Sequence, residues 1–417
     1  MASLALEGIR VIDCSTSWAG PLTTNILADM GAEVIKVESI QRLEVWRTIN
    51  LIRPRDEGWW ERSATFNTVN RNKLGITLDL TSSRGAELFK RLVKMSDLVV
   101  ENYTPRVMAN FGLDYAVLKE VNPSIIMVSM PGYGMTGPWR DYVGFAYSTE
   151  QMAGLPSLIG YLDGGPTMHG VGLGLADPVA GAYAAFAVSI ALRWRRRTGQ
   201  GQHIDLSHNE ALSCLIGDAI MDFTLNQRVQ GRRGNRHPFM APHGCYRCLG
   251  QDNYVSIAIS CDEAWNSFGQ AIGAPAWAQD DRFSDVTGRL ENQDELDRLI
   301  EEWTIGHIDY EVMHLLQRAG VAAAPVLSPS AMLEDQHLKE RAFWQWIDRV
   351  EVGPRPYQGI LPRMSKTPGT VRLPAPTLGQ HNDYVLGELL GLTKEEIAVL
   401  AAEHIIGNRP LGLGRAA

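Results

Sequence analysis

Short apolar runs alternate with amphipathic stretches through the first third of the chain. "IRVID" (9–13), "EVIKVE" (33–38), "LGITLDL" (74–80), "DLVVEN" (97–102) and "SIIMVSM" (124–130) are apolar along most of their length, as strands buried on both faces are. Between them, "PLTTNILADMG" (21–31), "SRGAELFKRLVKMS" (83–96) and "YAVLKEV" (115–121) carry helical spacing, with Pro21 opening the first and Gly31 following its end. This alternation predicts an α/β fold, a parallel sheet with helices on both faces.

The pattern changes after about residue 225. "NQRVQGRRGNRHPFMAPHG" (226–244) is polar, basic and rich in Gly and Pro, and reads as an extended connection. "CYRCLGQDNYVSIAIS" (245–260) predicts a β-hairpin turning at Gly250–Asn253. Helical segments run on to about residue 320, "PSAMLEDQHLKERAFWQWI" (329–347) starts a return, and a Pro-punctuated loop with helices closes the chain over 367–404.

One stretch combines pattern with chemistry. "HGVGLGLADPVAGAYAAFAVSIAL" (169–192) runs from glycines through a single acid, Asp177, into a small apolar helix. Asp177 reads as its N-cap and Pro178 as its first helical residue. The run Val179–Leu192 is apolar nearly all round, which predicts a buried helix too short to span a bilayer. Arg193, Arg195, Arg196 and Arg197 complement the dipole at the far end, and Gly199 stops the helix.

Composition narrows the function. A chain of 417 residues buries a large core and suits two domains. A net charge of −8 and a pI near 5.7 argue against nucleic acid as a partner. The opening "MASLALEGIRVID" has no basic n-region and no stretch is long enough to cross a membrane. Five scattered cysteines suit a reducing cytoplasm, and the lone CxxC of Cys245 and Cys248 is short of ligands for zinc. The chain has no GxGxxG after its first strand, no GxSxG, no HExxH and no P-loop. What the first strand–helix turn, "DCSTSWAGP" (13–21), does offer is free N–H groups and the positive end of a helix.

Seven segments together resemble the family III CoA-transferases, a superfamily that includes formyl-CoA transferase, carnitine CoA-transferase and α-methylacyl-CoA racemase. They are "LEGIRVIDCSTSWAGPLTTNILADMGAEVIKVE" (6–38), "NRNKLGITLDL" (70–80), "DLVVENYTP" (97–105), "NPSIIMVSMPGYG" (122–134), "GLADPVAGAYAA" (174–185), "TGQGQHIDLSHNEA" (198–211) and "LGQHNDYVLGELLG" (378–391). The resemblance implies a large Rossmann-like domain from 1–225 and 330–417, a linker and smaller α+β domain over 226–329, and an interlocked homodimer. A heteromer with a homologous subunit is the alternative assembly. It implies no permanently bound cofactor; CoA enters as a thioester substrate, with an organic acid as the second partner.

The catalytic aspartate of the family falls at Asp177. Its carboxylate attacks the donor thioester, and the reaction passes through mixed anhydrides and an aspartyl-CoA thioester. Gly170, Gly172, Gly174 and Gly181 would let the thioester approach closely. Trp18, Ala19, Leu78, Asn102 and Tyr103 match CoA-contacting positions. Arginine is common in the family where this chain has Ser39 and Asn110, and Arg42 and Arg106 lie close enough to stand in. Trp18 replaces a glutamine of formyl-CoA transferase and makes the acyl pocket drier. Phe145, with Ala146 beside it, occupies the place of the racemase histidine; neither can act as a base, so transferase ranks above racemase. His169, Arg47, Arg71 and Arg247 are cationic candidates for the acceptor carboxylate. A non-catalytic subunit of a two-protein transferase is the reading from another class.

Overall fold

The computed structural model describes residues 4–49, 57–167 and 174–411. These form two compact units: Met1–Leu155 with Met168–Gln227 and Glu340–Ala417, and Pro156–Thr167 with Arg228–Lys339.

The first unit is built on β1 (Arg10–Asp13), α1 (Ala19–Asp29), β2 (Glu33–Glu38), β3 (Lys73–Thr77), α2 (Ser83–Lys94), β4 (Leu98–Glu101), α3 (Tyr115–Val121) and β5 (Ile126–Ser129). Then come α4 (Ala146–Met152), α5 (Ala176–Thr198), β6 (His203–Asp205), α6 (His208–Ser213) and α7 (Gly217–Asn226). All six strands are parallel, in the order β3-β2-β1-β4-β5-β6. The expected α/β sheet is therefore present, with one strand more than the apolar runs indicate. The period of two divides the strand residues between two cores. Ile12, Ile35, Ile76 and Val99 face α2 through Leu88, Phe89 and Leu92, where Leu386 and Leu400 of the returning C-terminal segment join them. Val11, Val34, Leu98 and Val128 face α1 and α5 through Leu27, Ala180, Ala184 and Val188. Each fully buried Val, Leu or Phe contributes about 1.5–3 kcal/mol.

Two expectations about α5 change. The helix is not buried all round: its small residues pack inward, while Tyr183, Phe186, Ile190 and Trp194 are 44–65% exposed. Only a narrow Ala/Gly face fits against α1 and the sheet, so the bulky residues point away. The helix also starts earlier than its cap signal suggests, at Ala176, ahead of Asp177. Its end is as expected, with Gly199 in the left-handed region at φ 74°.

In the second unit, β7 (His243–Arg247), β8 (Tyr254–Ala258) and β9 (Ala322–Pro325) form an antiparallel sheet, and β7–β8 is the expected hairpin. Trp265, Phe268, Phe283, Leu296 and Leu316 fill its core. Cys245 and Cys248 are free thiols there. Among the described residues no helix is long and apolar enough to cross a membrane.

Candidate active site

The turn after β1 is anchored by buried charge. Asp13 accepts bonds from the Ser15 N–H at 3.0 Å, the Ser15 hydroxyl, the Thr24 hydroxyl at 2.7 Å and Lys73 Nζ at 2.9 Å. Burial pushes its carboxyl up, but Lys36 and Lys73 outweigh that and hold it well below the usual carboxylate range. Lys73 is pulled down to about 8 by burial, against the pull of Asp13. Lys36 donates to the Ser15 carbonyl and Lys73 to the Pro21 carbonyl, each at 2.9 Å, so β2 and β3 both pin the turn. From the end of β4, Asn102 accepts from the Thr16 N–H and donates to its carbonyl, both at 2.8 Å.

The pinned turn walls a cavity of about 400 Å³ lined by Ser15, Thr16, Val37, Ser39, Arg42, Leu78 and Tyr103. It lies at the carboxyl ends of the strands, where doubly wound sheets bind ligands. Of the expected CoA-contacting residues, Leu78 and Tyr103 line it, as does Arg42 beside Ser39. Asn102 shapes the wall through Thr16. Arg106 is exposed at the start of the helix Arg106–Asn110, whose Val107 faces the cavity instead. Trp18 packs on Trp46, ring centroids 5.5 Å apart, in a cluster with Phe66 and Ala375. Ala19 is fully buried at the head of α1.

Two of the cationic candidates are already consumed. Arg47 is buried against Glu38 and Glu61, and Arg71 against Asp29. The sequence could not show this, because their carboxylate partners come from other elements: Glu38 from the end of β2, Glu61 from a short helical turn and Asp29 from the end of α1. Arg247 is exposed on β7, in the second unit. His169, Gly170 and Gly172 lie outside the described residues.

Asp177 is not the N-cap. The helix begins at Ala176, the flanking Leu175 has no side-chain cap, and Pro178 is the third helical residue, still within the turn that needs no intrahelical N–H bond. The Leu175 N–H instead donates to Glu150 Oε2 at 2.7 Å. Glu150 is fully buried on α4, and a Cβ at Gly174 would come within 2.5 Å of the same oxygen. Asp177 is 9% exposed, and its Oδ1 lies 3.3 Å from Nδ1 of His208, the first residue of α6. The other expected glycine role also changes. A Cβ on Gly181 would sit 2.8 Å from the Ala19 carbonyl, so this glycine lets α1 cross α5 one turn beyond Asp177. Phe145, just before α4, is 65% exposed.

His208 is the residue the sequence reading missed. It stands inside the segment "TGQGQHIDLSHNEA", but only the pairing of β6 with β5 brings it to Asp177. The local signal was Ser207, whose hydroxyl caps α6 by accepting from the Glu210 N–H.

A pinned strand–helix turn, a cavity at the carboxyl edge and a helix-borne acid define a doubly wound α/β protein with a built ligand crevice. The chain belongs to CoA-transferase family III, whose profile matches residues 6–382. It is similar to the succinyl-CoA–D-citramalate CoA-transferase of Chloroflexus aurantiacus, 36% identical over 96% of this chain and 98% of that one. The beta subunit of the succinyl-CoA–L-malate CoA-transferase of the same organism is 31% identical over 97% and 98% of the two chains. The crystal structure of a CAIB/BAIF family protein from Brucella suis superposes with a TM-score of 0.84 at 32% identity, covering 93% of this chain and all of that one. This protein is thus an enzyme that moves CoA between an acyl-CoA thioester and an organic acid.

Proposed function

We propose that Asp177 is the nucleophile of this CoA transfer. Its carboxylate attacks the donor thioester, giving a mixed anhydride and CoA thiolate. The thiolate attacks the aspartyl carbonyl, forms aspartyl-CoA and releases the donor acid. The acceptor carboxylate then displaces CoA to form a second anhydride, and the thiolate takes the new acyl group and frees Asp177. Covalent catalysis splits one hard transfer into easier steps. The observation that carries this reading is the release of Asp177 from capping: Glu150 holds the helix start, and the aspartate keeps its carboxylate in the first turn, where the helix dipole favours an anion.

CoA fits the cavity beside the pinned turn, with Leu78 and Tyr103 as apolar wall and Arg42 as phosphate partner. For the acids we infer a dicarboxylate of moderate size, against Trp18 and Phe145. The relatives named for succinyl-CoA, D-citramalate and L-malate support this. For the assembly we infer an interlocked homodimer covering the exposed face of α5 at Tyr183, Phe186, Ile190 and Trp194. A heteromer is the second reading, supported by the L-malate relative being one subunit of two.

The test is incubation with succinyl-CoA and hydroxylamine, followed by peptide mass spectrometry. A hydroxamate on Asp177 is the expected result, and none defeats the nucleophile. A panel of acceptor acids is run alongside; acceptance of formate and oxalate alone defeats the apolar wall. Sedimentation at micromolar concentration tests the dimer, and a fully active monomer defeats it.

A further inference from the structure

His208 faces one of the two carboxylate oxygens of Asp177. Its Nδ1 lies 3.3 Å from Asp177 Oδ1, and its side chain is 9% exposed. Its Nε2 is buried and has no hydrogen-bond partner among the described residues. A carboxylate only accepts, so the nitrogen facing it carries the proton. Nε2 is then the lone-pair nitrogen, which avoids burying the orphan N–H that the other tautomer would leave. The fold holds the ring there: Ser207 caps α6, the His208 N–H points to the Pro131 carbonyl at 3.4 Å, and Leu212 packs against Ala176.

The chemistry of the two middle steps converges on that oxygen. Once Asp177 is acylated through Oδ2, Oδ1 is the carbonyl oxygen of the anhydride. CoA thiolate attacking Cγ forms the S–C bond and moves an electron pair onto Oδ1; collapse expels the donor carboxylate. The acceptor carboxylate attacking aspartyl-CoA forms an O–C bond, again charges Oδ1, and collapse expels the thiolate. The contact is a 3.3 Å approach and not a formed hydrogen bond in the resting protein; a donor that closes on this oxygen as charge develops lowers the barrier of acyl transfer more than most other single contacts do.

We propose that His208 is the oxyanion donor for these two steps, a role that rests on Asp177 being the nucleophile. The donor acts on the carbonyl of the enzyme, so it serves every substrate pair alike.

The test is rapid-quench intact-protein mass spectrometry with succinyl-CoA, following the mass of the enzyme–CoA thioester. His208→Leu lowers the rate of adduct formation and kcat by roughly 10²–10³-fold, the usual loss of one such donor, and leaves KM for succinyl-CoA little changed. His208→Asn keeps an N–H near the Nδ1 position and recovers most of the rate. A purely structural role would move melting temperature in both variants without this split. Adduct formation at the wild-type rate in His208→Leu, or failure of the Asn rescue, overturns the proposal. A wild-type enzyme that forms no CoA adduct on Asp177 defeats the nucleophile reading itself, and the two failures are told apart by that control.

Discussion

Glu150 Oε2 accepts the Leu175 N–H at 2.7 Å, so the helix that carries Asp177 is capped by a buried carboxylate from another helix. The cap and the acid are separate residues, and each can be removed alone. Glu150→Ala leaves the Leu175 N–H without this acceptor, which costs about 1–3 kcal/mol for a buried group. The helix start then shifts and transfer slows although Asp177 remains. Glu150→Gln keeps an amide oxygen for the same N–H and falls between. Urea denaturation and steady-state transfer rates check this; an alanine variant equal to wild type in both would show that Glu150 does not hold the helix.

How much of this was legible follows from how far each signal reaches along the chain. Five strands of the sheet stood out because each carries a run that is apolar along most of its length. The sixth, His203–Asp205, is three residues with one apolar side chain, and nothing local distinguishes it from a loop. Asp177 was found by its surroundings, yet its capping role was misread. Asp-Pro before an apolar run is a good local cap signal, and the competing cap comes from Glu150, on a different helix. Arg47 and Arg71 looked like free cations for the same reason: Glu38, Glu61 and Asp29 sit on other elements, and only the fold brings them against the guanidinium groups.

Gly181 offers a test in which two effects oppose. In an ordinary helix interior, Gly→Ala stabilises by about 1 kcal/mol. Here the new Cβ would meet the Ala19 carbonyl at 2.8 Å, a backbone atom that α1 cannot simply swing aside. Overpacking of this kind costs about 1–3 kcal/mol, so it wins. Gly181→Ala is therefore expected to be less stable than wild type in thermal denaturation, and to displace α1 with Trp18 and Ala19. A gain in stability would contradict the close crossing.

Glu101 makes stability fall with pH. Burial pushes its carboxyl up to about 7, although the Ser129 hydroxyl and the Tyr103 N–H at 2.8 Å pull the other way. Its value in the unfolded chain is near 4.3, so unfolding releases a proton between those values. The stabilisation is complete below about 4.3 and is lost as pH rises to about 7, an effect on the order of 4 kcal/mol. Glu101→Gln, which stays neutral, removes this slope. Its stability relative to wild type, from urea melts at pH 5 to 8, should improve as pH rises. A constant difference across that range would refute the assignment.

Asp177→Asn and Asp177→Ala separate chemistry from folding. Asn is nearly isosteric but has no ionised oxygen to attack a thioester, so transfer falls by orders of magnitude. Ala loses the same activity. Neither variant removes the bond from the Leu175 N–H to Glu150. Both lose the attraction between the anion and the helix dipole, about 0.3–1 kcal/mol, and Ala also removes the oxygen that faces His208 Nδ1. The expected result is two inactive enzymes that still fold, with Ala the less stable of the two. An Asn variant that turned over normally, with deamidation back to Asp excluded by mass spectrometry, would remove Asp177 from the chemistry, and the anhydride and aspartyl-CoA steps would go with it.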